Sequence, residues 1–290
     1  GQGLSAHTGM TAISRGFPEH RGRAVAFIGL GYATTEGLFP LALIAMLAWV
    51  GWQESWLLAG GFLLLVAMPL QIYLSGFEPK ISDVQMQAAN GSLAVGRGEV
   101  LRDVRFYMLL PLYTSSPFLL TGLFFHQVQL AEAFGWSLVS LASAFVFYAL
   151  TKIVTSLVVG PLVDRYTSLR VFPLVFLPLS LGLCVLVVPQ TWLQDFAPFV
   201  YLFFIGVNLG MTAPVSGALW PELFGAKNLG AIRSMTASIM IFATAAAPVT
   251  FGAVLDMGIG FEQIAVACIF YLVGCAGLAF LASRITLSAR

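Results

Sequence analysis

Charge is what this sequence has least of. Only 9% of its 290 residues are Asp, Glu, Lys or Arg, and 59% are hydrophobic, whereas ordinary soluble domains carry about 25% charged residues. The mean hydropathy is +0.90. These values exclude a soluble globular domain. The net charge of +1, without any basic patch, gives no reason to expect a nucleic-acid partner.

Motifs of enzyme chemistry are missing as well. The sequence contains no HExxH, CxxC, GxSxG or phosphate-binding loop. Its three cysteines, Cys184, Cys268 and Cys275, lie inside apolar runs and not in exterior loops. We therefore expect no disulfide, no metal site, no cofactor and no enzyme activity. A membrane-embedded transferase would need a His/Asp or Cys site in an interfacial loop, and none is present.

Long apolar runs are abundant, and they do not alternate as the strands of a β-barrel would. A helix of about 20 apolar residues crosses the hydrocarbon core of a bilayer. The sequence therefore predicts an all-α, polytopic transmembrane helical bundle with eight complete helices and one partial helix. The partial helix is predicted at 1–14, and the complete helices at 24–49, 56–75, 104–128, 137–163, 171–188, 197–223, 231–255 and 263–283.

The longest polar stretch divides these helices into two groups. Residues 77–103 are rich in charge and show no apolar period, which indicates a linker. We expect residues 1–76 to be the remnant of an N-terminal membrane half, 77–103 to be a cytoplasmic linker, and 104–290 to form a C-terminal half of six helices.

The basic residues predict the orientation in the membrane. Of the 14 Lys and Arg, all but Lys152 lie on one set of alternate loops and helix ends. The opposite loops, at 50–55, 129–136, 189–195 and 256–262, contain none. Because cytoplasmic loops are enriched in Lys and Arg, we expect a multi-pass membrane protein with a cytoplasmic C-terminus, in the inner membrane if the source is bacterial.

Two charged residues are expected near the bilayer midplane. Counting 1.5 Å per helical residue, Lys152 lies roughly 18 Å from Asp164, and Glu36 roughly 20 Å from Arg23. Charge at that depth is costly and typically marks a transport pathway. The two side chains either form a structural ion pair, or contact substrate, carry a proton or break a bond during transport.

A short charged turn lies between two apolar runs. It reads GPLVDRYTSLR from Gly160 to Arg170. It resembles the G-x-L-x-D-R-x-x-x-R/K loop of the major facilitator superfamily of transporters. The matching residues are Gly160, Leu162, Asp164, Arg165 and Arg170.

That resemblance implies a conformational latch. RGRA from Arg21 and PELFGAKNLGAIR from Pro221 resemble the matching loops of that family. In the family the loop aspartate meets the N-terminus of a helix from the other half. Asp164 would therefore meet the helix start near Arg21 and Arg23 in the outward-facing state, with Gly160 allowing close approach and Arg165 and Arg170 completing the turn.

The resemblance also implies a central cavity between two six-helix halves. Glu36 and Lys152 would lie on adjacent helices across the interface. The cavity would be lined by polar residues of the fourth and seventh helices, namely Tyr113, Ser116, His126, Asn208 and Thr212. Since only two complete helices and part of another precede the linker, we expect an N-terminally truncated chain that lacks about three helices.

The function predicted is secondary active transport by alternating access, as a symporter or an antiporter of a small solute within the lipid bilayer. Because Lys152 is a midplane cation, an organic anion such as a carboxylate is the expected substrate, with Glu36 carrying a coupling proton. The alternatives are a proton-driven drug or sugar carrier and a non-transporting membrane sensor or truncated product.

Overall fold

The computed structural model describes residues 21–76, 97–224 and 229–288, and all regular secondary structure in those ranges is helical. The chain divides into a first unit, Gly1–Asn90, and a second unit, Gly91–Arg290. The division lies inside the expected linker 77–103, most of which is outside the described residues. The expected partial helix at 1–14 is outside them too.

The first unit consists of one interrupted helical run. Helix α1 spans Arg21–Phe62, a π-helical turn spans Leu63–Ala67, and α2 spans Met68–Ser75. The two helices predicted here, 24–49 and 56–75, meet at a kink at Gly51, where φ is 83° and ψ is 177°. Glycine alone adopts such backbone angles without strain, so the chain breaks at Gly51 without a loop.

In its described residues, the second unit has five helices long and apolar enough to cross a membrane. These are α4 (Val104–Phe125), α6 (Leu138–Tyr166), α10 (Ala197–Phe224), α11 (Leu229–Asp256) and α12 (Phe261–Ser288). Shorter helices complete the unit: α3 (Arg97–Val100), α5 (Gln127–Phe134), α7 (Ser168–Val171), α8 (Phe176–Cys184) and α9 (Gln190–Leu193). The helices of the predicted all-α membrane bundle are thus confirmed, although α5 occupies most of the loop expected at 129–136.

One predicted helix, 171–188, is broken and short. It consists of α7, a 3₁₀ turn at Phe172–Val175, and α8, which ends at Cys184. Proline at 173 and 178 explains the break, because proline has no N–H to donate within a helix. The Val175 carbonyl, which lies at this break, accepts a hydrogen bond from Asn208 Nδ2 of α10 at 2.8 Å.

Helices α6 and α10 form the most extensive helix pair of the unit. Two glycines of α10 make the close approach possible. A Cβ atom added at Gly206 would lie 2.6 Å from the Tyr148 carbonyl oxygen, and one added at Gly210 would lie 2.6 Å from the Lys152 carbonyl oxygen. This is the small-xxx-small spacing by which membrane helices bring their backbones together.

Helices α4 and α11 form a second pair, with Gly122 of α4 against the ring of Phe251. Helices α8 and α12 also pack on each other and join the two pairs, α8 through α10 and α12 through α4. Among the residues whose burial is described, the largest fully buried side chain is Trp220 on α10, which contacts Phe106 of α4 at a ring-centroid distance of 5.4 Å. These packed pairs fix the positions of the polar side chains described next.

Candidate functional site

Lys152 is the middle residue of the 29-residue helix α6. Its side chain is half-buried, and its Nζ atom lies 5.7 Å from the centroid of the Tyr148 ring. A cation over an aromatic face is stabilised by the quadrupole of the ring. The backbone of Lys152 is held in place by its contact with Gly210 of α10. The ammonium group is therefore carried at mid-helix by a rigid part of the fold.

The polar residues of α10 serve its packing. Asn208 is fully buried and donates to Val175 on the broken helix, and its Oδ1 atom has no hydrogen-bond partner among the described residues. Thr212 donates from Oγ1 to the Asn208 carbonyl at 2.7 Å, within its own helix. Helix α10 therefore contacts two neighbours: the Asn208 side chain bonds to the broken helix, and Gly210 packs against the Lys152 backbone of α6.

On α4, Tyr113 and Ser116 differ in exposure. Tyr113 is half-buried and packs edge to face on Trp220, with 5.2 Å between ring centroids. Ser116 is buried, at 3% exposure. Tyr113 is therefore part of an aromatic cluster between α4 and α10.

His126 links two helices at the end of the unit away from the charged turn. It caps the C-terminus of α4, with Nε2 3.1 Å from the Pro248 carbonyl oxygen of α11 and Nδ1 2.9 Å from Gln129 Oε1. Both ring nitrogens are thus engaged by protein atoms.

Glu36 lies on α1 in the first unit and is exposed there. Lys152 belongs to the second unit. Direct pairing of the two side chains stays a prediction.

The charged turn begins while the chain is still helical. Asp164 and Arg165 lie in the last turn of α6, which ends at Tyr166, and Arg170 lies on α7. All three are exposed. Arg165 packs over the Tyr166 ring at 5.3 Å, and Asp164 has no hydrogen bond or ion pair with any described residue. Its carboxylate is therefore available to a partner.

The other members of the expected latch are less fully described. A Cβ atom added at Gly160 would have no neighbour within 4 Å among the described residues, so that face of α6 is open. Arg21 and Arg23 lie in the first described turn of α1, and their side chains are outside the described part of the chain.

Sequence reasoning overlooked Glu222, near the end of α10. Its carboxylate accepts hydrogen bonds from the backbone N–H of Ser168 at 3.0 Å, from Ser168 Oγ at 2.7 Å and from the backbone N–H of Leu169 at 3.4 Å. It therefore caps the start of α7, where free N–H groups favour a negative charge. The signal available in the sequence was a single acidic residue in PELF, the last four residues of an otherwise uncharged helix.

Thr167 stands between the charged end of α6 and the residues that Glu222 holds. Its backbone has φ of 71° and ψ of 147°, angles that a residue with a Cβ adopts only under strain. Its hydroxyl oxygen is buried and has no hydrogen-bond partner among the described residues. The Glu222 hydrogen bonds fix the chain directly after this strained residue.

No curated protein matches this sequence as a relative. A family model does match, the Major Facilitator Superfamily, over residues 1–145 and 120–287. The two matched ranges together cover nearly the whole chain. Since the apolar helices are also long enough to cross a membrane, the chain is a multi-pass integral membrane protein and belongs to the Major Facilitator Superfamily of transporters.

Proposed function

We propose that this transporter carries a small organic anion by alternating access, with Lys152 as the residue that contacts the anion. The observation that carries the proposal is the position of Lys152 at the middle of a membrane-spanning helix, half-buried and against Tyr148. A lysine at the centre of a membrane helix costs about 2.5–3.5 kcal/mol on insertion scales. A carboxylate substrate would offset this cost while it is bound.

The surroundings of Lys152 support a binding role. Gly206 and Gly210 place the α6 and α10 backbones in contact at Tyr148 and Lys152, so the ammonium group starts from a fixed backbone. Because the backbone does not have to be ordered on binding, only the Lys152 side chain loses conformational entropy when it contacts the anion. The half-buried Tyr113 of α4 is proposed as a second cavity residue, and Ser116 as a third.

Asn208, Thr212 and His126 have weaker support as substrate contacts. Each uses side-chain atoms in hydrogen bonds inside the second unit. We retain them as proposed cavity residues whose hydrogen bonds would have to change when substrate binds.

The proposed cycle uses the latch and the two halves. Residues 1–76 and 104–290 would move relative to each other about the midplane site, joined by a cytoplasmic linker at 77–103. In the outward-facing state Asp164 would cap a helix start at Arg21 to Arg23, and the C-terminus would be cytoplasmic. Glu36, an exposed carboxylate within the apolar span Thr34–Leu74, would carry the coupling proton.

Glu36 also supports a second candidate function. If Glu36 is the principal binding residue, the protein is a proton-driven drug or sugar carrier, because a midplane acid suits a cationic or neutral substrate better than an anion. The two candidates differ in whether Lys152 or Glu36 controls the choice of substrate.

Uptake of radiolabelled carboxylates into vesicles that hold the protein separates the two candidates. We expect Lys152→Ala to lower the uptake at least about tenfold, the loss typical of a hydrogen bond to a charged group. Lys152→Arg should retain part of it, and Thr151→Ala, one residue away, should leave it unchanged. Undiminished uptake in Lys152→Ala would return the lysine to a structural role. No carboxylate uptake by the wild type, with proton-dependent uptake of a drug or sugar that Glu36→Gln abolishes, would favour the second candidate.

A further inference from the structure

An open cleft lies at the end of the second unit away from the charged turn. Its volume is about 290 Å³. One wall comes from the segment between α5 and α6, and the other from the segment between α9 and α10. The lining residues are Phe134, Gly135, Trp136, Ser137, Ser140, Gln190, Gln194, Asp195 and Pro198.

The two walls are fixed to each other by hydrogen bonds. Trp136 Nε1 donates to Gln190 Oε1 at 2.9 Å, and Gln190 Nε2 donates to the Val185 and Val188 carbonyl oxygens. The Trp136 ring is itself packed between other rings, stacked on Phe134 and tilted against Tyr201. The cleft is therefore preformed, as ligand sites usually are.

Asp195 is the only charged residue among the described residues that line this cleft. It is exposed, and it has no hydrogen bond or ion pair with any described residue. No Lys or Arg occurs in residues 126–151 or 171–226, the segments that supply both walls. A carboxylate in a concave site without a neighbouring base produces a negative potential that concentrates cations.

The polar lining selects among cations. Hydrogen-bond acceptors are provided by the Ser140 hydroxyl, by the Gln194 amide, and by the second lone pair of Ser137 Oγ, which already accepts from the Ser140 backbone N–H at 3.0 Å. Among the described residues no three His, Cys, Asp or Glu come together as a metal site would require, and one carboxylate falls short of the six to eight oxygen ligands typical of Ca²⁺. Trp136 is only 8% exposed, so it offers no open ring face to a quaternary ammonium ion.

We propose that this cleft binds a small organic cation that carries an N–H-bearing ammonium group, with the Asp195 carboxylate as its counter-charge. The ammonium N–H groups would be accepted by Asp195, Gln194 and the serine hydroxyls. The volume lies at the lower end of the roughly 300–1,000 Å³ of ordinary ligand pockets, so the ligand is smaller than a typical drug. This site is separate from Lys152, which lies at the middle of α6.

Calorimetric titration of the purified protein in detergent with ethanolamine tests the site. We expect saturable binding to the wild type, weaker binding of choline because it has no N–H on its charged nitrogen, and no binding of acetate. Asp195→Asn keeps the shape of the side chain and removes its charge. It should weaken ethanolamine binding at least about tenfold, as expected when a charge-assisted hydrogen bond is lost.

Two further variants make the result decisive. Ser140→Leu fills the cleft without changing Asp195 and should abolish binding. Glu132→Gln removes an exposed carboxylate that does not line the cleft, so this variant should bind ethanolamine as the wild type does. The proposal is overturned if the wild type shows no saturable binding, if Asp195→Asn or Ser140→Leu binds normally, or if choline or acetate binds as tightly as ethanolamine.

Discussion

At the scale of single residues, the charged turn from Gly160 to Arg170 is held by a carboxylate that lies outside it. Glu222 reaches from α10 to the start of α7 and accepts three kinds of hydrogen bond there. Thr167, directly before that start, has a strained backbone. Favourable hydrogen bonds and local strain therefore meet within a few residues.

Removal of the Glu222 carboxylate should destabilise the second unit. Hydrogen bonds to a charged group are worth about 1.5–3 kcal/mol each and do not add fully, so we expect Glu222→Ala to lower the free energy of unfolding by about 2–4 kcal/mol. Denaturant unfolding in detergent measures the change. Glu262→Ala is the control, because Glu262 is exposed at the start of α12 and makes no hydrogen bond to a described residue. Equal stabilities of the two variants would contradict the capping role.

Relief of the strain at Thr167 should stabilise the protein. Glycine adopts a positive φ without a steric cost, and the buried hydroxyl that lacks a partner would be removed as well. We expect Thr167→Gly to raise the free energy of unfolding by about 1 kcal/mol, the lower end of the cost of such backbone strain. Thr151→Gly, inside α6, should instead lower it by about 1 kcal/mol. A destabilised Thr167→Gly variant would show that the native angles are not strained.

At the scale of helices, the second unit depends on a close backbone contact between α6 and α10. Gly206 and Gly210 face carbonyl oxygens of Tyr148 and Lys152, and a backbone carbonyl cannot turn aside as a flexible side chain can. Because Gly206 and Gly210 have no side chains, α10 can approach α6 closely, and this contact fixes the position of the helix that carries Lys152.

A single methyl group in this contact should separate the helices. We expect Gly210→Ala to lower the free energy of unfolding by about 1–3 kcal/mol, the usual cost of overpacking. Gly217→Ala on the same helix is the matched control, since its added Cβ would meet nothing within 4 Å. If thermal melts in detergent show the two variants equally stable, the α6–α10 contact is looser than the structure indicates.

The ion pair at the start of α4 should make the stability of the protein depend on pH. Asp103 caps this helix by accepting from the Arg105 backbone N–H at 2.8 Å, and it forms an ion pair with the Arg105 guanidinium. The side-chain hydrogen bonds from Arg105 hold the pKa of Asp103 below its ordinary value. The ionised form is therefore favoured by folding. Its stabilisation is complete above the ordinary Asp pKa of about 4, and is lost as the pH falls through the lower pKa of the folded state.

Asp103→Asn isolates this charge, because asparagine also caps helices well. We expect the free energy of unfolding at pH 7 to be about 0.2–1 kcal/mol higher for the wild type than for the variant, the range for exposed ion pairs. The difference should vanish below the folded pKa of Asp103. Unfolding curves recorded at neutral and acidic pH measure it. A difference that does not change with pH would remove the ion pair as its cause.

At the scale of the whole molecule, membership of the Major Facilitator Superfamily makes the exposed Asp164 the most informative residue for the transport cycle. Its carboxylate has no partner among the described residues, which suits a contact that forms in one state and breaks in another. The proposed latch closes the cytoplasmic side, so its loss should favour the state that is open to the cytoplasm.

Asp164→Asn should therefore raise the reactivity of a cavity cysteine toward the cytoplasm. Ser216 lies on α10 four residues after Thr212, on the helix face that carries the proposed cavity residues Asn208 and Thr212, and it is half-buried. We expect a cysteine introduced there to react faster with an impermeant maleimide added from the cytoplasmic side, severalfold if about 1 kcal/mol of latch energy is lost. Asp256→Asn, at the opposite end of the second unit, is the control. Unchanged labelling in Asp164→Asn would mean that the turn does not bias the two states.

The sequence by itself determined the class of protein, the helical fold and most helix positions. Apolar runs of sufficient length have only one common solution in a bilayer, in which each backbone group is paired within its own helix. The interruption near Gly51, predicted as a loop at 50–55, and the charged turn from Gly160 could also be located, since each interrupts a run of apolar residues. Local composition was sufficient for all of these features.

The tertiary structure alone decided which polar atoms are committed to packing. Asn208 and Thr212 are expected cavity residues, yet Asn208 donates to a carbonyl beside the break in another helix. Glu222 finds its partners at Ser168 and Leu169, and the Asp195 cleft is formed by segments far apart in the chain. Periodicity gives the face of one helix only. The partner on that face depends on where proline and glycine open the neighbouring helices, and the folded chain fixes this.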